Sequence, residues 1–197
     1  MVNMLMLSNV WRHFKKICVH KYYVGKYCFK AGLYWQGIVH DLSKFSPTEF
    51  VESVKYYQGD VSPIVACKKE NGYSMAWFHH RGRNLHHYEC WVDNFDNYFS
   101  GDKLTLIKMP YKYAVEMLCD YLGAGQAYMG KGFSYEKEWQ WWLKKRENCA
   151  MHPYTKHFID SALYYMRVDG DDRLLRDHEM LKVLHENNSD FLREAGE

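Results

Sequence analysis

Apolar residues recur at Val10, Phe14, Ile17, Val24 and Phe29, at spacings close to the helical repeat, and they predict one long amphipathic helix running to about Lys30. His20 falls inside it. The segment AGLYWQGIV follows and leads into His40 and Asp41. In SPTEFVESVKYYQ the start signal is strong: Ser46 as the cap, Pro47 at the first helical position and Glu49 three residues after the cap, a capping box. His40 and Asp41 are therefore expected on the connection just before a helix. A second Ser-Pro pair, Ser62-Pro63, opens a helix running toward MAWFHHRGRN. The segment MPYKYAVEMLCDYLGAG begins at Pro110, and its Gly-rich end predicts a stop near Gly123. YEKEWQWWLKKREN, PYTKHFIDSALYYMR and DDRLLRDHEMLKVLHENN supply three further helical patterns. KLTLIKM, after the turn Ser100-Gly101-Asp102, is the one strand pattern. With no internal repeat or low-complexity tract, the series predicts an all-α domain of roughly six to eight helices.

Composition narrows this picture. The 197 residues, 47% of them hydrophobic, suffice for a single domain, 1–197, with a sizeable core. Lys and Arg number 26 against 24 for Asp and Glu, so the formal charge of +2 gives no global electrostatic reason for a nucleic-acid or membrane partner. No apolar run is long enough to cross a bilayer. The N-terminal apolar patch is followed, not preceded, by basic residues and shows no cleavage site, which reads against a secretory signal. The six cysteines form no C-x-x-C pair, which argues against a zinc ribbon or redox centre and favours a reducing cytoplasm.

The eleven histidines matter through their clustering, because imidazole is the commonest side-chain metal ligand. Four separated places offer such chemistry: His20, the His40-Asp41 doublet, the block WFHHRGRNLHHYECW with His79, His80, His86 and His87, and Asp120 in EMLCDYLG. If His79 and His80 end a helix they point about 100° apart, so one of them faces a common site. His80 is favoured, because Trp77 and His80, three apart, share a face. The same reasoning applies to His86 and His87, although a loop would let both point inward. Glu89 is a candidate partner for a ligand imidazole, and Asn84 and Trp91 are candidate supporting residues. His13, among Arg12, Lys15 and Lys16, is expected to be solvated, and His152, His157, His178 and His185 are not expected to bind metal. Trp139, Trp141 and Trp142 are spread around their helix, which predicts core packing and an oligomer or lid contact.

The order His, His-Asp, histidines, Asp on a helical scaffold resembles the HD-domain superfamily of metal-dependent phosphohydrolases. HDLSK is similar to that superfamily's HD-x-x-K signature, and the stretch through HHRGRNLHHYECW resembles a small HD-like family of bacteria and phages. The resemblance covers residues 13–125 and implies an HD-domain-like bundle, with 1–125 as its metal-binding core and 126–197 as additional C-terminal helices. It implies that His20, His40, Asp41 and Asp120 bind one divalent ion and that Asp41 bridges to a second held by His80 and by His86 or His87. Imidazole with carboxylate suits Mn, Fe, Co, Ni or Zn. The resemblance further implies that Lys44 faces a phosphorylated substrate. Arg81 and Arg83 are further phosphate candidates, since guanidinium pairs phosphate in a bidentate way.

There are departures from the superfamily. No GYP triplet follows the histidines, which argues against hydrolysis of cyclic dinucleotides. The acidic proton acceptor found after the doublet in HD-type nucleotidases has no counterpart, since Glu49 belongs to the capping box. The expected function is hydrolysis of a nucleotide or another small phosphorylated metabolite at a mono- or dinuclear His/Asp site holding one or two ions, with Asp41 and Lys44 at the reacting centre. Two alternatives use the same ligands: a di-iron oxygenase, and a non-catalytic metal-binding accessory protein.

Overall fold

The computed structural model describes residues 4–59, 61–93 and 104–186. Among them the chain is all-α, with nine α-helices, four short 3-10 turns and a single two-residue antiparallel ladder. The helices are α1 (Met4–Lys30), α2 (Tyr34–Val39), α3 (Pro47–Lys55), α4 (Pro63–Asn71), α5 (Met75–Arg81), α6 (Tyr111–Met129), α7 (Tyr135–Arg146), α8 (Pro153–Asp169) and α9 (His178–Glu186). None of the described helices is long and apolar enough to cross a membrane. All six cysteines are free thiols.

The count exceeds the sequence expectation for two local reasons. AGLYWQGIV contains the short helix α2, and the helix expected from Ser62 toward His80 is broken in two. Gly72 adopts a left-handed φ of 79° and ends α4, and the Ser74 side chain then caps α5 by accepting from the Trp77 N–H. The strand expected in KLTLIKM shrinks to Thr105–Leu106, paired with Val92–Asp93. The turn Ser100-Gly101-Asp102 lies outside the described residues.

The buried face of α1 runs through His13, Ile17, His20, Val24, Tyr27 and Cys28, whereas Val10, Phe14 and Phe29 stay partly exposed. His13 is thus buried, contrary to its expected solvation: it shares a face with Ile17 and His20 and packs against the rings of Phe50 and Tyr57. Helix α6 lies along α1 and does not stop at Gly123. A Cβ there would sit 2.4 Å from Val24 Cγ2 and 2.8 Å from the Val24 backbone nitrogen. The glycine is what lets the two backbones touch.

One buried apolar cluster joins Val24 and Cys28 of α1, Leu118 and Leu122 of α6, Trp142 of α7, Phe158 and Leu163 of α8 and Leu181 of α9. The C-terminal helices therefore complete the same core as the histidine-bearing ones. Of the α7 tryptophans, Trp142 is fully buried, Trp139 is partly buried against the core and Trp141 is 42% exposed.

A candidate metal centre built on Asp41

Asp41 is the one non-glycine residue with positive φ among the described residues, at 54°. Helix α2 has just ended, and a 3-10 turn over Leu42–Phe45 starts immediately after. Aspartate tolerates this left-handed conformation better than most residues, and strain of this kind persists where the surroundings hold it. Lys21 of α1 helps, donating from Nζ to the carbonyls of Ile38 and His40, the latter at 2.9 Å.

The left-handed turn buries the Asp41 carboxylate, whose two oxygens face different histidines. Oδ2 lies 3.3 Å from His20 Nε2 and 3.3 Å from His40 Nε2. Oδ1 lies 3.3 Å from His80 Nε2 and 3.4 Å from His86 Nε2. Asp120 closes the first set, its Oδ1 3.1 Å from His20 Nε2 and 3.4 Å from His40 Nε2. His87 joins the second, with ring centroids 4.3 Å from His86 and 4.8 Å from His80. His20, His40, Asp41 and Asp120 form one group able to hold a metal ion, and Asp41, His80, His86 and His87 form another. All seven residues expected to ligate thus lie together.

Each element delivers its residue for a local reason. His20 lies on the buried face of α1, His40 follows the last turn of α2, and His80 is in the last turn of α5. Its neighbour His79 points elsewhere, to Glu49 Oε1 at 2.7 Å. His86 and His87 sit in the irregular stretch before the 3-10 turn Tyr88–Trp91, where successive side chains need not diverge as on a helix.

Behind the ligands stand two carboxylates. Glu116 Oε1 lies 2.9 Å from His40 Nδ1 and 3.1 Å from His86 Nδ1, and Glu49 Oε2 lies 2.8 Å from His80 Nδ1. A carboxylate on Nδ1 fixes the ring and leaves Nε2 free to ligate. His40, His86 and Glu116 also form a third group of metal-ligand type, but the Nε2 atoms turned toward Asp41 make Glu116 an orienting partner. Glu49 is therefore not closing a capping box. Ser46 does accept from the Glu49 N–H, at 3.4 Å, yet the Glu49 side chain goes to the histidines. Asn84 ties this region down, donating to Ser43 Oγ at 2.9 Å and to the His80 carbonyl at 2.7 Å.

The buried carboxylates are held ionised, and the imidazoles divide. Burial opposes charge on Asp41, but His40, Lys44 and His80 outweigh it and hold the carboxyl well below the usual range. Burial likewise opposes charge on Asp120, and hydrogen bonds from His20 and His40 overcome it. Burial, with His86 and His80 adding to it, keeps His87 neutral. Burial opposes charge on His40 as well, but Asp41, Asp120 and Glu116 outweigh it and hold its pKa well above the usual imidazole value. Metal binds ionised carboxylate and neutral imidazole, so an ion at this centre would displace the His40 proton. His40 Nε2, Asp41 Oδ1, His86 Nε2 and His87 Nε2 are buried with no hydrogen-bond partner among the described residues. Four inward-facing orphans in one place fit a bound cation, because buried polar atoms are otherwise nearly always satisfied.

A cavity of about 390 Å³ opens onto His20, His80, His87 and Asp120. Lys44 lines it and pairs with Asp41 Oδ2 at 2.5 Å. Three other lysines on its wall each lie over an aromatic ring: Lys16 over Tyr128, Lys68 over Trp77 and Lys145 over Tyr121, at 4.7, 4.8 and 4.3 Å. Arg81 and Arg83 are not among the lining residues. Arg81 lies over the Phe78 ring at 5.5 Å and Arg83 donates to the His79 carbonyl at 3.4 Å.

Reading the sequence alone missed Glu116, Glu49's role, and the wall formed by Lys16, Lys68, Tyr121, Trp141 and Lys145. Glu116 had a signal, since it stands one helical turn before Asp120 and so on the same face. Lys16 had the same signal, one turn before His20 on α1, whereas Trp141 and Lys145 had none, because α7 reaches the site only through tertiary packing. Of the remaining histidines, His185 Nε2 bonds the Met109 carbonyl and His178 Nε2 the Lys30 carbonyl, outside this centre.

An all-α bundle with a buried His/Asp cluster able to hold a metal ion is the class that this fold and site define. The chain belongs to DUF5662, a family of unknown function, whose profile matches residues 9–164 and so spans the whole centre together with α7. No curated protein and no solved structure matches it.

Proposed function

We propose that this protein is a metal-dependent phosphohydrolase of HD type, acting on a nucleotide or another small phosphorylated metabolite. The observation that carries the reading is the division of Asp41: one carboxylate oxygen faces His20 and His40, the other His80 and His86. A carboxylate so placed suits two cations at the short separation that two-metal hydrolysis uses. The donors, imidazole and carboxylate, favour Mn, Fe, Co, Ni or Zn over Mg or Ca. Ions held there would polarise a phosphoryl oxygen and make hydroxide available near neutral pH.

The chain's own residues supply the rest. Glu49 and Glu116 hold the imidazoles with Nε2 presented. Asp41 and Asp120 keep Lys44 charged against the opposing effect of its burial. Its ammonium, at the cavity edge of the centre, is the group that would neutralise a phosphate oxygen. Lys16, Lys68 and Lys145 make the wall attractive to anions.

Elemental analysis of protein purified without chelator, paired with turnover of a phosphodiester and a nucleoside monophosphate panel in Mn, Ni and Co, tests the reading. The expected result is close to two transition-metal equivalents with phosphate release. His40→Ala and Asp41→Ala should lose the metal while keeping helical content by circular dichroism. Two iron equivalents with oxygen consumption and no phosphate release would move the assignment to an oxygenase. Full metal retention in both variants would refute the centre itself.

A further inference from the structure

The cavity has a second polar feature, away from Asp41. Tyr121, one residue beyond Asp120 on α6, is only 6% exposed and lines the cavity, and its hydroxyl has no hydrogen-bond partner among the described residues. Glu89 lines the same cavity, and its Oε2 is also buried without a partner among them. An unmet buried hydroxyl or carboxylate oxygen costs stability, so two on one cavity wall mark a place where a ligand completes the bonding. The Tyr121 ring itself is firmly held, at 5.3 Å from Trp141, 5.7 Å from Trp142 and 4.3 Å from Lys145 Nζ. Its hydroxyl therefore has a fixed place from which to read a ligand.

We infer that Tyr121 and Glu89 form a recognition pair for the end of the substrate remote from the phosphate, and that this end is a ring carrying hydrogen-bond donors. The carboxylate of Glu89 is the first reason. A carboxylate oxygen accepts, so it selects an N–H or O–H, while the phenol can donate to or accept from the neighbouring position. The wall is the second, because Trp77 and Trp141 offer aromatic faces against which a ring can pack. The third is reach. The same cavity opens onto His80, His87 and Asp120, so one small molecule can meet the pair and the metal centre at once. A nucleobase and a sugar both satisfy this chemistry. The inference rests on the cavity being the substrate site, but not on the reaction being hydrolysis.

Calorimetric titration of the full-length, metal-loaded protein with three probes that cannot be hydrolysed as phosphate esters separates the possibilities: inorganic phosphate, free ribose and a panel of nucleosides. Ribose or at least one nucleoside should bind. Tyr121→Phe and Glu89→Gln should each weaken that binding about tenfold or more, with phosphate affinity unchanged. Binding of nucleosides without ribose would identify the base as the group read, and binding of ribose the sugar. Thermal melting of the ligand-free variants supplies a readout that a purely structural role would move the other way. Tyr121→Phe removes an unsatisfied hydroxyl, so its melting temperature should stay level or rise. The inference fails if no ring compound binds, if the variants bind it as tightly as the parent, or if Tyr121→Phe simply melts lower with unchanged binding. If a ring compound is recognised but no phosphate ester is turned over, the hydrolase reading falls and the recognition pair stands.

Discussion

A carboxylic acid placed where water cannot reach must find a cation or keep its proton, and Glu138 keeps its proton. It is 2% exposed on α7, with one oxygen pressed so close to Gly125 of α6 that a Cβ added to the glycine would come within 2.0 Å of it. Burial pushes its pKa up to about 8, Lys145 lowers it and Asp120 raises it. The folded protein therefore holds a proton that the unfolded chain, with an ordinary glutamate, releases above about pH 4.5. Stability from this group is full below that pH, declines through neutrality by at most about 1.4 kcal/mol per pH unit, and levels off above about pH 8. Glu138→Gln should match the parent near pH 4.5 and exceed it by a few kcal/mol at pH 8 in denaturant melts. An equal pH dependence in both proteins would show that Glu138 is not the group responsible. At this scale the sequence is half legible. His20, His40, Asp41 and Asp120 are readable from residue type and order. Glu49 is misread because its position after Ser46 offers a competing local role, and only the fold shows its side chain turned to His79 and His80.

Among the helices, the crossing of α1 and α6 sets the geometry of the centre, because it fixes His20 against Asp120. Gly123, one turn from Asp120, makes that crossing possible. Gly123→Ala would drive a methyl group into the Val24 backbone, which no rotamer change relieves. Overpacking of this kind should cost about 2–3 kcal/mol. For a chain of this size that lowers the melting temperature by roughly 4–12 °C. Gly72→Ala is the contrasting control: its φ is left-handed, unlike that of the helical Gly123, but a Cβ there meets open space, so it should cost only about 1–2 kcal/mol. Equal losses in the two variants would mean that the close approach at Gly123 carries no special weight. Gly123 also shows why the end of α6 is misjudged from the sequence. Glycine is a stop signal when the helix ends in solvent, but it serves as a contact surface when another backbone lies across it, and local pattern alone does not distinguish these.

For the molecule as a whole, the all-α class is readable because amphipathic period and Ser-Pro starts are local signals. The α7 side of the cavity wall is not, since it depends on where that helix comes to rest. Trp142 inserts into the core shared by α1, α6 and α8, and its indole N–H donates to Asp160 Oδ1 at 2.6 Å. That seating carries Trp141 and Lys145 to the cavity that opens onto the histidine cluster. Residues beyond 125 thus belong to the site as much as to the scaffold.

Glu116 ties the two ligand groups to each other. One of its oxygens bonds His40 from the first group and His86 from the second. An ion that captures either imidazole must also settle this shared acceptor, and in doing so it aligns the other ring before a second ion arrives. Loading should therefore be cooperative: titration with Mn or Co should give a sigmoidal curve in the parent protein. In Glu116→Gln it should become two independent and weaker events, each affinity down about 10- to 100-fold. A hyperbolic curve in the parent would mean that the two halves of the centre fill without sensing each other.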